Sequence, residues 1–104
     1  MKSLVLVLVF LAWFAAPSIA DFDAGIAAYD RGDYATALKE LKPLAEKGNA
    51  KAQSNLGVMY AKGQGVPQDY AEALRWFRLA VVQGNAAAQT GLGLMYAKGR
   101  GVPQ

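Results

Sequence analysis

The residues that could do chemistry in this chain are few in kind. There is no histidine and no cysteine. Their absence removes the Ser-His-Asp and Cys-His nucleophile systems, most transition-metal ligand sets and any charge switch near neutral pH. Eight carboxylates remain. Asp33 and Asp69 stand just before apolar-periodic runs and read as helix caps, while Glu40 and Glu46 read as solvated. A carboxylate pair acting on a glycan must face one cleft, and no spacing here forces that. The most arresting candidate is a glycine-rich octapeptide, AKGQGVPQ at 61–68, which returns as AKGRGVPQ at 97–104. It lacks the third glycine of a dinucleotide fingerprint and the Gly-Lys-Ser/Thr ending of a phosphate loop, and no strand precedes it. The expectation is a chain without enzymatic activity, cofactor or bound metal.

The elements that position these residues follow from a repeat. Shifting the sequence by 36 lays GNAKAQSNLGVMYAKGQGVPQ (48–68) on GNAAAQTGLGLMYAKGRGVPQ (84–104), with 16 of 21 positions identical. Such self-similarity marks stacked supersecondary units. DYAEALRWFRLAVVQ (69–83) carries apolar residues at 70, 73, 74, 77, 80 and 81, which is helical spacing. Asp69 is its N-cap, Glu72 completes a capping box, and Gly84 follows its last turn. Asn49 and Asn85 cap helices that run to about Lys62 and Lys98, where Gly63 and Gly99 stop them. The unit is therefore helix A, loop, helix B and a short turn. Residues 22–48 form a variant first unit, 49–84 the second, and 85–104 half of a third.

Unit one turns through DRGD (30–33) and unit two through KGQGVPQD (62–69), so the extra four residues lie between helices A and B. In that connector Val66 folds back on the helix pair, and Pro67 keeps Val66 out of helical conformation. Gly25, Gly57 and Gly93 fall inside helices, where glycine costs about 1 kcal/mol against alanine. They are expected to permit close approach to helix B at Ala37 and Ala73. Leu56, Tyr60, Leu74 and Phe77 fill the space beside that contact. Trp76, Met59, Met95 and Tyr96 read as core, with Met95 and Tyr96 at the edge.

Residues 1–20, MKSLVLVLVFLAWFAAPSIA, have a different character. Lys2 precedes an apolar run from Leu4 to Ala16, Pro17 breaks it, and Ser18 and Ala20 put small residues at the −3 and −1 positions before Asp21. That is the layout of a cleavable secretory signal, too short an apolar run to span a bilayer comfortably. The expectation is export, to the periplasm of a Gram-negative host or outside the cell, with no stable membrane insertion after cleavage. Cleavage takes Lys2 away and leaves ten basic residues against eight acidic ones, with signs interspersed along 21–104. No basic run interleaves with aromatics, so nucleic acid is not an expected partner.

The stretch AQSNLGVMYAKGQGVPQDYAEALRWFRLA (52–80) resembles the Sel1-like repeat (SLR) of the tetratricopeptide-like superfamily. Ala52, Leu56, Gly57, Tyr60, Gly63, Gly65, Val66, Pro67, Asp69, Ala73, Trp76, Phe77 and Ala80 carry the resemblance. Unit one is more like an ordinary tetratricopeptide repeat. The resemblance implies an all-α fold, an α/α solenoid of antiparallel helix pairs. It implies a binding module whose A helices line an inner surface for a protein or peptide. The A-helix residues not aimed at helix B are Lys51, Ser54, Asn55, Val58 and Lys62, with Ala87, Thr90, Gly91, Leu94 and Lys98 as their repeats. This surface is mildly basic with an apolar strip, and it suits an acidic partner. The alternative is a cell-wall or β-lactam-acting hydrolase. Secreted relatives linked to that chemistry are Cys-rich, and this chain is not. The third helix A is as apolar as an internal one. The array is therefore expected to continue past Gln104, the other reading being that this helix caps it.

Overall fold

The computed structural model describes residues 19–101. Residues 1–18, most of the segment expected to be a secretory signal, and the last three residues, Val102, Pro103 and Gln104, lie outside the described residues. Five α-helices follow in order: α1 (Phe22–Asp30), α2 (Tyr34–Glu46), α3 (Ala50–Lys62), α4 (Tyr70–Val82) and α5 (Ala86–Ala97). No strand occurs among the described residues. Each helix packs on its sequence neighbours, and α3 also reaches α5. Three of the four connections are three residues long, which obliges consecutive helices to run antiparallel. The α3–α4 connection, 63–69, is longer by four residues, as the repeat spacing requires.

Side chains terminate these helices as their types dictate. Asp21, Asp33, Asn49, Asp69 and Asn85 each accept a backbone N–H from the first turn of the helix that they precede. The capping box expected at α4 forms by one half. Asp69 Oδ1 accepts the Glu72 N–H at 3.1 Å, but the Glu72 carboxylate turns to Arg75, at 2.7 and 3.1 Å. The Asp69 N–H instead donates to Tyr60 O at 2.9 Å, so the long connector has already satisfied the donor that Glu72 would have taken. Gly63 closes α3 in the left-handed region (φ 69°, ψ 43°), where glycine meets no Cβ penalty.

Two apolar clusters share α4. Trp76 joins Ala28, Ala37, Leu41, Ala45, Ala52, Leu56 and Met59 in the first. Phe77, the next residue, joins Ala73, Leu74, Ala80, Ala88 and Met95 in the second. Neighbouring positions on a helix point about 100° apart, so this one pair of aromatics ties both layers to α4. The close approach expected at the helical glycines exists, but its partners are side chains other than Ala37 and Ala73. A Cβ at Gly57 would lie 2.5 Å from Phe77 Cδ1 and Cε1, and one at Gly25 would lie 2.8 Å from Leu41 Cγ and Cδ2. Gly93 faces open space. Tyr96, expected in the core, is 46% exposed, whereas Met95 is buried.

Candidate functional site

The glycine-rich connector is a clasp between units. A Cβ at Gly65 (φ 74°) would lie 2.9 Å from the Tyr34 carbonyl oxygen, at the start of α2. One repeat later, a Cβ at Gly101 (φ 75°) would lie 2.9 Å from Leu74 Cδ1 and 3.0 Å from Tyr70 Cβ, at the start of α4. Each connector thus presses on the helix B of the unit before it, and only a residue without Cβ fits there. The α4 N-terminus beyond the connector is no phosphate cradle, because the Asp69 carboxylate already occupies it.

The octapeptide copies differ at one position, and the structure explains it. Gln64 Oε1 accepts from the Tyr29 hydroxyl at 2.8 Å, and Gln64 Nε2 donates to the Tyr34 hydroxyl at 3.3 Å. The two tyrosine rings lie 5.3 Å apart. At the next junction Tyr70 replaces Tyr34, but Ala61 stands at the position of Tyr29, so a bridging amide would lack one partner. Arg100 takes the place of Gln64, with its guanidinium 5.6 Å from the centre of the Tyr70 ring.

Arg100 also borders a groove of about 190 Å³ between α3 and α5. Val58, Lys62, Gly91, Leu94 and Lys98, all foreseen as inner-surface residues, line it together with Ala61, Phe77 and Met95. Lys62 and Lys98 are exposed, and Leu94 is 54% exposed. Three cations therefore ring an apolar floor, with no acid among the lining residues. Arg100 was missed in the sequence because it lies in a loop. The signal that could have found it was its being the single mismatch between the two octapeptides.

The rest of the expected surface divides. Lys51, Ala87 and Thr90 are exposed but lie outside the groove lining, and the Thr90 hydroxyl donates to Ala86 O at 3.3 Å. Asn55 is half-buried. Ser54 is a correction: it is 6% exposed and belongs to the interior. The helix α3 has neighbours in α2, α4 and α5, so six of its thirteen residues are buried and its free strip is narrow. Gly91 is also reassigned. A Cβ there would meet Phe77 Cζ at 2.7 Å, so its lack of a side chain serves packing and deepens the groove floor.

A second hollow, about 680 Å³, lies between α2 and α4 and brings Glu46 and Glu72 to one opening. Here two acids share a cleft. The hydrogen bonds from Arg75 first, and its charge after that, hold the Glu72 carboxyl below the usual carboxylate range. That shift runs opposite to the raised carboxyl that a glycoside-cleaving proton donor uses. The Arg75 guanidinium also covers the Trp76 ring, at 4.4 Å from its centre.

The sequence matches the Sel1 repeat family over residues 50–85 and 86–104, more than half of the chain. The chain belongs to the Sel1 repeat family. Its fold is similar to the crystal structure of a Sel1 repeat protein from Oxalobacter formigenes, with TM-score 0.72 and 38% identity over 77% of this chain and 32% of that one. It is equally similar to a protective antigen of uropathogenic Escherichia coli that displays an SLR fold, with TM-score 0.71 and 38% identity over 78% of this chain and 18% of that one. The chain therefore spans about a third or less of the length of these two proteins. No match was found among curated proteins. Sel1 repeats are typically non-catalytic modules that mediate protein–protein interaction, and no described helix is long and apolar enough to cross a membrane.

Proposed function

We propose that this Sel1 repeat chain is an exported, non-enzymatic interaction module whose α3–α5 groove takes an acidic segment of a partner protein or peptide. One observation carries the reading: Lys62, Lys98 and Arg100 surround an apolar floor that includes Val58 and Leu94, and no carboxylate lines it. Such a groove suits an apolar side chain flanked by carboxylates. The apolar contact supplies affinity, while the cations steer approach and fix orientation. Export is supported by the pattern of residues 1–20. One of the similar structures is a protective antigen, which accords with a role in the envelope or at the cell surface.

The test uses labelled peptides of the form acid–acid–leucine–acid, followed by fluorescence anisotropy at two salt concentrations. Reversing two of three cations in Lys62→Glu/Lys98→Glu is expected to weaken binding at least about tenfold, and added salt to weaken the wild type alone. Equal affinity for wild type and double variant would overturn the assignment of the groove. Turnover of peptidoglycan or of a chromogenic β-lactam by the pure protein would overturn the non-enzymatic part.

A further inference from the structure

Asp21 makes two contacts at the start of α1. Its side chain caps α1, with Oδ1 accepting the N–H groups of Asp23 at 2.9 Å and Ala24 at 3.3 Å. Its own backbone N–H donates to Glu40 Oε2, on α2, at 2.8 Å. Glycine brings that acceptor within reach. A Cβ at Gly25 would lie 3.2 Å from Glu40 Cβ as well as 2.8 Å from Leu41, so the bare backbone of α1 rests on α2 beside Glu40.

We infer that Glu40 is a built-in counter-ion for the α-ammonium of a processed chain beginning at Asp21. The inference rests on reading residues 1–20 as a cleaved signal. In the uncleaved chain the donor is a neutral amide N–H. Hydrolysis of the Ala20–Asp21 bond adds one water, leaving a carboxylate on Ala20 and an ammonium on the same Asp21 nitrogen, which gains two further N–H donors. A positive charge at a helix N-terminus is opposed by the helix dipole, so the new end destabilises α1 unless a carboxylate meets it. The acids beside it are Asp21 and Asp23 on its own element and Glu40 on α2. Lys39 and Lys47 line the neighbouring hollow with Glu40, Ile19 and Ala20. Glu40 is the acid that reaches the nitrogen from another helix, so processing converts an ordinary hydrogen bond into a charged tie between α1 and α2.

The experiment is a double-mutant cycle on the processed protein, purified from the periplasm of an expression host. Wild type and Glu40→Gln are each compared with the α-amine free and with that amine acetylated. Single acetylation is verified by mass spectrometry, and melting is followed at pH 6 and pH 9.5. At pH 6 Glu40→Gln is expected to lower the melting temperature roughly 1–5 °C further in the free-amine chain than in the acetylated one. The difference should vanish at pH 9.5, above the ordinary α-amino range of about 7.7–8.0. Equal losses in both chains at pH 6, or a difference that persists at pH 9.5, would overturn the counter-ion role. Mass spectrometry of the purified chain separately tests the processing: a chain starting at Asp21 supports it, and any other start overturns it whatever the melting curves give.

Discussion

Gly57 and Gly93 are the same residue one repeat apart, yet alanine is expected to act on them with opposite sign. At Gly57 a Cβ would lie 2.5 Å from two ring atoms of Phe77 and 2.9 Å from a third. The ring cannot retreat freely toward its tip, because Gly91 closes there, where a Cβ would lie 2.7 Å from Cζ and 2.8 Å from Cε1. Phe77 is thus held by two bare backbones, one at its Cδ1–Cε1 edge and one at its tip, and it is only 2% exposed. Alanine gains about 1 kcal/mol of helix propensity over glycine, against an overpacking cost of roughly 1–3 kcal/mol that the clamp pushes to the upper end. Gly57→Ala should therefore lose about 1–2 kcal/mol net, or roughly 5–15 °C in melting temperature for a domain of this size. At Gly93 nothing among the described residues lies within 4 Å of the added Cβ, so in a chain that spans residues 1–104 Gly93→Ala should gain up to about 1 kcal/mol and melt a few degrees higher. Thermal unfolding followed by circular dichroism reads both. Phe77→Leu in the Gly57→Ala background supplies a control, since the smaller side chain should cost less there than in the wild type. If both alanine variants melt higher by similar amounts, the clamp around Phe77 is not real.

Two further outcomes follow from the clasp and from the charges. Gly65→Ala should lose more stability than Gly84→Ala by urea denaturation: both have positive φ, costing about 1–3 kcal/mol, but only Gly65 faces a neighbour, the Tyr34 carbonyl. Equal losses would refute the clasp. Hydrogen bonds from Arg75 depress the Glu72 carboxyl, and Thr36, through its side chain first and its backbone N–H second, depresses that of Asp33. A depressed acid stabilises the fold above its unfolded value and loses that effect as pH falls through its folded value. The melting temperature should hold above pH 4.5 and start to fall below it, the ordinary values being 4.5 for Glu72 and 3.8 for Asp33. Glu72→Gln should flatten the upper part of that fall, and an unchanged acid limb would refute its contribution.

The sequence by itself determined the parts that depend on local chemistry. Helix ends were legible because Asp, Asn and Gly act on the backbone within a turn of themselves, as at Asn49, Asp69 and Gly63. The four-residue excess of the α3–α4 connector was legible because a repeat offset is a count. Five of the groove residues, Val58, Lys62, Gly91, Leu94 and Lys98, followed from the family resemblance and the repeat offset, and the structure gathers them on one surface. What only the tertiary structure decided depends on how many neighbours a helix has. Ser54 and Thr90 are repeat partners, yet one is buried and the other exposed, since α3 packs on three helices and α5 on two. Gly57 and Gly93 share a sequence context, but only Gly57 meets Phe77. Gln64 and Arg100 share an octapeptide, and they differ because the first junction offers two tyrosines and the second offers one. A repeat copies residues along the chain, but burial and partnership belong to places in the stack, and no two places in this stack have the same neighbours.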